Sequence, residues 1–398
     1  MPLRIALLTY STKPRGSVIH TLELSTALTA LGHQVCIYAL DKGTGFERSL
    51  PCQVRLVPAR PAPVDIDGLI RQRIGEFVAA LRPNTGQYDI YHAQDCIGAN
   101  ALGALGCAPV VRTVHHVEAF ESIYLQQCQD RSIREPDRCL VVSDRWRQAL
   151  LQDYGIEAVR VVNGVDRQRF TPRCSGEEAA LRDRYGLTGP VFLTVGGIEP
   201  RKNSIRLLQA FAQVRRHCPT AQLMIVGGAT LFDYQAYRDR FFDLAAALGL
   251  REALIPLEAP APLKALILPG VVPDAVLPAL YRCADAFVFP SLKEGWGLVL
   301  LEAIASGLPI VASDQPPFTE FLSPQQACLV NPHDAEVLAA AMLRALNPQV
   351  AEKLVHQSQS VLGRYTWGRS ARQHVREYNQ LCANRQQEGL ISHARNSV

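Results

Sequence analysis

Along the chain, short unbroken apolar runs alternate with longer stretches in which apolar residues recur at helical spacing, and the series is played twice. Arg4-Ile5-Ala6-Leu7-Leu8-Thr9 is the first such run, and it ends in Ser11-Thr12-Lys13-Pro14-Arg15-Gly16, a loop by composition. From Thr21 to Leu31 the apolar residues Leu22, Leu24, Ala27, Leu28 and Leu31 share a helix face, Gly32 stops that helix, and Gln34–Leu40 reads as a second strand. This is a βαβ unit, whose ligand crevice lies beyond the carboxyl ends of its strands. Further strands are predicted at 88–92, 109–114, 138–142 and 159–162. Asn163-Gly164-Val165-Asp166, followed by Phe170-Thr171-Pro172, then marks a linker.

The second series predicts strands at 192–195, 222–226, 265–268, 286–289 and 309–312, each a buried run bounded by turn residues. Helices are predicted at 204–216, 234–248, 273–283 and 298–305, with an amphipathic helix over 367–384 after the second domain is complete. The expectation is an α/β chain of two doubly wound domains, 1–168 and 169–366. Residues 251–263 are Pro/Ala-rich, fit neither period, and read as a loop or insertion without an assigned role.

Composition narrows the function classes. A chain of 398 residues is too long for one ordinary core, which agrees with two domains. A net charge of +4 with no dense Lys/Arg run disfavours nucleic acid as a partner. The 11 cysteines include no CxxC pair and are odd in number, so they read as core residues of a reducing compartment rather than a zinc site or a disulfide framework. With no secretory leader pattern and no apolar stretch of the roughly 18–20 residues that a spanning helix needs, a cytoplasmic location is expected, peripheral membrane contact remaining open.

Three segments carry candidate chemistry. The first runs from Glu294 through Gly295-Trp296-Gly297-Leu298 to Glu302 and on to Gly307-Leu308-Pro309. Its helix, from Leu298, is apolar on all sides except at Glu302, and a buried carboxylate needs donors. Ribose hydroxyls would serve; an ion pair with a core arginine would serve equally. Glu294, in the loop, can face a ligand or water, while Gly295 and Gly297 allow close approach.

The second segment, Gly196-Gly197-Ile198-Glu199-Pro200-Arg201-Lys202-Asn203-Ser204, delivers two cations just ahead of a helix with Asn203 or Ser204 as its expected N-cap. That arrangement suits a diphosphate, or else is a solvated basic turn. The third is a pair of strand ends, Tyr91-His92-Ala93-Gln94-Asp95 and Thr113-Val114-His115-His116, placed where α/β sheets bind ligands. A lone histidine at a strand end can be a satisfied rim residue; two such ends in one domain tilt the balance toward a site.

These residues carry a family likeness. Phe289-Pro290-Ser291, Glu294 and Glu302 with seven residues between them, and Gly307-Leu308-Pro309-Ile310-Val311-Ala312-Ser313-Asp314 resemble the signature of the retaining glycosyltransferase family 4. Gly270-Val271-Val272-Pro273 to Leu280-Tyr281, Ala284-Asp285-Ala286-Phe287-Val288, Asn163-Gly164-Val165-Asp166, Val226-Gly227-Gly228, Gly32-His33-Gln34-Val35 and Tyr365-Thr366-Trp367 are similar to its other stretches, in order along nearly the whole chain. The resemblance implies a GT-B fold of two Rossmann-like domains facing across a cleft, the N-terminal one binding an acceptor and the C-terminal one a nucleoside-diphosphate sugar, with the last helix crossing back. It implies no metal and no cofactor beyond the donor sugar nucleotide.

By motif position, Lys202 would hold the donor diphosphate, Glu302 the ribose and Glu294 the transferred sugar, with Gly295, Gly297 and Leu298 around the donor. Gly16 would let the first loop approach the phosphates and His115 would line the reaction centre, so that the implied catalytic residues are His115, Glu294 and Lys202. Two departures stand out. Gly196 and Gly197 occupy the stretch where many members carry an arginine, leaving Arg201 as the second cation, and Arg15-Gly16 replaces a frequent Gly-Gly pair.

The implied reaction is front-face attack by an acceptor hydroxyl with retention of configuration, the leaving phosphate oxygen taking the proton. Glu302, read as buried beside the nucleotide, leaves no acid/base carboxyl pair of the glycosidase kind. A nicotinamide oxidoreductase would need GxGxxG after the first strand, where this loop has a single glycine. A non-hydrolysing sugar-nucleotide epimerase and a non-catalytic sugar-nucleotide-binding protein remain as rivals, the second being the stronger. Donor base, sugar, acceptor (glycan, lipid or small molecule) and oligomeric state are not readable from the residues.

Overall fold

Two seven-stranded parallel sheets organise the chain, one in each of two units. The computed structural model describes residues 2–228, 234–250, 252–254 and 265–395. Unit 1 comprises residues 1–164 and 365–398, unit 2 residues 165–364.

In unit 1 the elements are β1 (Arg4–Thr9), α1 (Gly16–Ala30), β2 (Gln34–Asp41), β3 (Gln53–Pro58), α2 (Ile66–Leu81), β4 (Ile90–Ala93) and α3 (Cys96–Ala104). They continue with β5 (Val110–Val114), α4 (Ile123–Arg134), β6 (Arg138–Val141), α5 (Asp144–Ala149) and β7 (Val159–Arg160). The sheet order is β3-β2-β1-β4-β5-β6-β7, so the winding reverses between β1 and β4.

The period of two along β1 decides which layer each residue feeds. Ile5 and Leu7 pack with Val35 and Ile37 against Leu22, Leu24 and Leu28 of α1 and against Tyr378 and Leu381 of the C-terminal helix. Ala6 and Leu8 pack with Cys36 and Tyr38 against Phe77, Leu81 and Leu102 of the opposite layer. Both faces are covered, which is why these strands are unbroken apolar runs rather than alternating ones.

Unit 2 contains α6 (Glu178–Tyr185), β8 (Val191–Val195), α7 (Ser204–His217), β9 (Gln222–Val226), α8 (Gln235–Ala247), β10 (Glu252–Leu254), β11 (Leu266–Gly270) and α9 (Leu277–Arg282). Then come β12 (Ala286–Phe289), α10 (Leu298–Ala305), β13 (Ile310–Ser313), β14 (Cys328–Val330), α11 (Ala335–Ala345) and α12 (Pro348–Leu362), before α13 (Trp367–Arg395) returns to unit 1. The order β10-β11-β9-β8-β12-β13-β14 puts the reversal of winding between β8 and β12.

Where the chain leaves and re-enters unit 1, Gly164 lies against the start of α13. A Cβ on Gly164 would sit 2.2 Å from the Trp367 backbone nitrogen, a collision that only glycine avoids. Val162 N–H donates to Gln373 Oε1 of the same helix at 2.8 Å.

Several elements differ from the periodicity reading. β3 is an edge strand whose sequence, Gln53-Val54-Arg55-Leu56-Val57-Pro58, buries only Val57 fully and so lacks an apolar run. β14 has three residues, too few for a pattern. Part of the stretch read as a loop, Glu252–Leu254, is strand β10, paired in parallel with β11; residues 255–263 lie outside the described residues. The helix predicted over 273–283 is confined to α9, and α13 runs past Asn384 to Arg395 because no proline or capping glycine interrupts Arg385-Gln386-Gln387. All eleven cysteines are free. Among the described residues no helix is long and apolar enough to cross a membrane, and no group of three metal-ligating side chains is assembled.

Candidate active site

The first cluster lies in unit 2 at the carboxyl ends of β8 and β12, the point where the winding reverses and where doubly wound sheets bind ligands. β8 runs into Gly196-Gly197, and a single 3-10 turn, Pro200–Lys202, follows with proline fixing its first φ. Asn203 then adopts a left-handed conformation at φ 60° and α7 begins. The expected N-cap is not made: no side chain caps α7. The Asn203 amide instead donates to Pro290 O at 3.1 Å and Pro332 O at 2.6 Å, tying the turn to the loops after β12 and β14.

This turn presents Lys202 and Arg201 to Glu294 in the loop after β12. Lys202 Nζ is 2.6 Å from Glu294 Oε1 and 4.4 Å above the centre of the Phe289 ring. Arg201 spans two carboxylates, with Nη1 3.2 Å from Glu294 Oε1 and Nε 2.8 Å from Glu199 Oε2. Ser291 Oγ donates to the same Glu294 oxygen at 2.8 Å. Burial pushes the Glu294 carboxyl up, but the charges of Lys202 and then Arg201 outweigh it and hold the group below the ordinary carboxylate value. Burial also lowers the Lys202 ammonium, against the opposing pull of Glu294.

The β12 loop is itself braced. Ser313 Oγ donates to Ser291 O at 2.8 Å, and Gln315 Nε2 donates to Ser291 O at 3.0 Å and to Leu292 O at 2.9 Å. Trp296 stacks on Phe321 with ring centres 4.6 Å apart. Gly297, at φ 111°, turns the chain into α10 where a Cβ would meet the Phe318 ring at 2.9 Å. Gly295, Gly297 and Leu298 remain partly exposed at the start of that helix.

From Leu300 to Ala305 α10 is buried, Glu302 included. The Tyr281 hydroxyl donates to buried Glu302, 2.8 Å from its Oε2. Tyr281 is enclosed by Phe170 and Phe287, and burial, reinforced by the Glu302 charge, raises its phenol well above the ordinary value.

The second cluster belongs to unit 1. Here the two histidine-bearing strand ends come together through Gln94: His115 Nε2 is 3.0 Å from Gln94 Oε1, and Gln94 Nε2 is 3.2 Å from His92 Nε2. His20 of α1 packs edge-on to His115 with ring centres 5.0 Å apart and bonds Asn163 Oδ1 through Nδ1 at 2.7 Å. His374 of α13 lies 5.8 Å from His20 and 5.6 Å from His92. Burial lowers all four rings, His20 to about 4 and His374 to about 3, with His92 and His115 held well below the ordinary value. His116 stands apart, exposed and 3.2 Å from Glu118. Gly16 opens α1 with no neighbour within 4 Å of where a Cβ would be, so the space before that uncapped helix start is open.

Sequence reasoning picked out Lys202, Arg201, Glu294 and Glu302 but missed what holds them. Asn203 was read as a cap when it is a tie between three loops. Tyr281 and Ser291 stood inside the family-like stretches without a role of their own, and Gln315 gave no signal, because Tyr281 and Gln315 act through partners more than twenty residues away.

Two family models match the chain. Residues 180–361 match that of "Glycosyl transferases group 1" and residues 14–169 that of "Glycosyltransferase Family 4". The chain is similar to a phosphatidyl-myo-inositol mannosyltransferase of Mycolicibacterium smegmatis, 27% identical over 389 residues covering 92% of this chain and 90% of the relative. It is similar also to a D-inositol 3-phosphate glycosyltransferase of Acidothermus cellulolyticus, 27% identical over 434 residues covering 96% and 92%. Among solved structures, sucrose-phosphate synthase from Thermosynechococcus elongatus superposes with a TM-score of 0.77 at 23% identity, covering 96% of this chain and 100% of that one. Anabaena HepE in complex with UDP and glucose superposes with a TM-score of 0.74 at 19% identity, covering 95% and 100%. Both likenesses are ones of fold: parallel-sheet α/β units of the GT-B kind.

Proposed function

The chain belongs to the group 1, family 4 glycosyltransferases and is a nucleotide-sugar-dependent enzyme; from that premise we propose that unit 2 binds the donor and that transfer to an acceptor hydroxyl proceeds with retention. One observation carries the assignment of the donor site. At the reversal of winding in unit 2, Lys202 and Arg201 converge on Glu294, in the loop that leads into the helix carrying the buried Glu302.

The cations of this turn suit the diphosphate. As the sugar–phosphate bond breaks, positive charge develops on the sugar and negative charge on the leaving diphosphate. Lys202 and Arg201 meet the second of these with charge already in place, a contribution worth about 3–4 kcal/mol of barrier for one such contact. Glu294 pairs with both cations. An entering diphosphate competes for them, leaving Glu294 to accept from hydroxyls of the transferred sugar. Glu302, aligned by Tyr281, takes the ribose hydroxyls, and Gly295, Gly297 and Leu298 give the donor backbone to lie against.

On unit 1 we assign Gly16, at the open start of α1, to phosphate approach and His115 to the reaction centre. The acceptor oxygen bonds to the anomeric carbon on the face from which the phosphate departs, and the phosphate oxygen takes the acceptor's proton. Lys202 and Arg201 supply the charge that a divalent cation would otherwise bring, so turnover is expected to need no metal ion. Eleven free thiols favour a reducing, cytoplasmic compartment.

The test is incubation with UDP-, GDP- and ADP-sugars and a set of acceptors that begins with inositol phosphate and phosphatidylinositol, since relatives are named for those. Product anomers are read by NMR with and without a chelator. Inverted configuration would overturn the mechanism, and loss of turnover on chelation would overturn metal independence.

A further inference from the structure

A hydrogen-bonded line runs through unit 1 from Tyr378 to His115. It begins at Tyr378, buried in α13, whose Oη is 2.6 Å from His92 Nδ1. His92 Nε2 is 2.8 Å from Thr113 Oγ1 and 3.2 Å from Gln94 Nε2, and Gln94 Oε1 is 3.0 Å from His115 Nε2. The members come from α13, β4, β5 and the loops after β4 and β5, and His92, Gln94, Thr113 and Tyr378 are all fully or almost fully buried.

The line leaves little freedom in where the protons sit. An amide nitrogen only donates and an amide oxygen only accepts. With Gln94 as it stands, His92 Nε2 is an acceptor, so His92 carries its proton on Nδ1. His115 must then carry its proton on Nε2, leaving Nδ1 as a bare lone pair. Turning the amide over reverses every bond of the line together, so the tautomers of His92 and His115 are coupled in either sense.

Burial first, and then the neighbouring Arg112 charge, oppose a charged ring on His115. It faces His20 of α1, His92 of β4, Arg112 of β5 and the adjacent His116, and His374 of α13 backs His20 and His92.

We propose that Gln94, His92 and Tyr378 are positioning residues for His115, fixing its ring and holding it neutral in one tautomer. The C-terminal helix thereby sets the competence of a residue that lies more than two hundred positions earlier in the chain. The proposal rests on the assignment of His115 to the reaction centre. It goes further in naming what makes that histidine usable. A histidine free to turn or to change tautomer would present N–H in place of a lone pair for part of the time, and misplacement on the scale of 1 Å costs roughly a hundredfold in rate.

The experiment uses the full chain as wild type, Gln94→Glu, Tyr378→Phe and His115→Ala. Turnover is followed across pH, affinity for the best of UDP, GDP and ADP is titrated, and imidazole nitrogen shifts are recorded by NMR. Gln94→Glu places a carboxylate against His115, which raises its pKa by about 1–3 units. The acid limb of the turnover profile is then expected to move up by about one pH unit or more. Tyr378→Phe is expected to lower kcat roughly tenfold to a hundredfold, with nucleotide affinity unchanged, since the ring bonds none of the residues assigned to the donor. In the wild type the NMR spectrum should show His92 and His115 each as a single neutral tautomer.

An unmoved acid limb in Gln94→Glu, or mixed tautomers in the wild type, overturns the proposal when His115→Ala is inactive. Should His115→Ala retain full turnover, the assignment of His115 itself fails. The wild-type NMR result stands even if Tyr378→Phe does not fold.

Discussion

A Cβ on Gly196 would lie 2.9 Å from Cε of Lys202, in a backbone conformation, φ 145°, that side chains rarely adopt. The glycine that stands where related chains were expected to carry an arginine therefore makes room for the lysine. Gly227, at the end of the neighbouring strand β9, is equally constrained: a Cβ there would meet the Gly196 carbonyl carbon at 2.6 Å. The two glycine pairs after β8 and β9 are packed backbone to backbone, and Lys202 occupies the space they leave.

Gly196→Ala should consequently lose donor affinity while the chain still folds. The strained backbone costs about 1–3 kcal/mol, and the displaced lysine separates from Glu294. A nucleotide titration beside a thermal unfolding curve checks this. Affinity should fall by at least tenfold, about 1.4 kcal/mol, and wild-type affinity in the variant would show that the glycine has no bearing on Lys202.

Tyr281→Phe removes a hydroxyl that donates to Glu302 and leaves the ring in place. Hydrogen bonds to charged groups contribute about 1.5–3 kcal/mol. The variant should unfold at lower temperature and bind nucleoside diphosphate more weakly, and Glu302→Gln should weaken binding as well. If Tyr281→Phe binds nucleotide as wild type does, Glu302 is not aligned by Tyr281.

The fold was largely legible because both sheets are covered on both faces, so that β1, β2, β8, β9, β12 and β13 appear as near-continuous apolar runs. What escaped was the periphery. Edge strands β3, β10 and β14 are short or half-polar and carry too few apolar positions to register. In the candidate site the charged residues were legible for a physical reason: a lone glutamate in an apolar helix and two cations ahead of a helix are departures from the local pattern. Asn203, Tyr281 and Gln315 were not, since a polar side chain whose partner is a distant carbonyl or carboxylate looks like any other. His92 and His115 could be placed at strand ends, but Gln94 as the link between them and Tyr378 as the anchor depend on α13 returning to α1, which no local spacing encodes.

The buried histidines give a pH dependence with a definite sign. His20 and His374 titrate near 6.5 when unfolded, and folding lowers them to about 4 and about 3, in both cases chiefly by burial. The unfolded chain therefore binds their protons more readily, so acid favours unfolding. Stability present above pH 6.5 should be lost progressively as pH falls toward 4 and then 3, by an amount on the order of a few kcal/mol. Thermal unfolding followed by intrinsic tryptophan fluorescence across this range, in wild type and in His374→Gln, measures it. His374→Gln should flatten the slope; an identical slope would place the acid sensitivity elsewhere.

If Lys202 holds the diphosphate of a sugar nucleotide, thermal unfolding of wild type and Lys202→Ala against UDP, GDP, ADP and their sugar conjugates will show it. A ligand bound only to the native state adds about 2.7 kcal/mol at 100 times its dissociation constant, enough to move the midpoint visibly. One nucleotide series should raise the wild-type midpoint, and Lys202→Ala should abolish the rise. A rise that survives in Lys202→Ala, or no rise with any of the nucleotides, would contradict it.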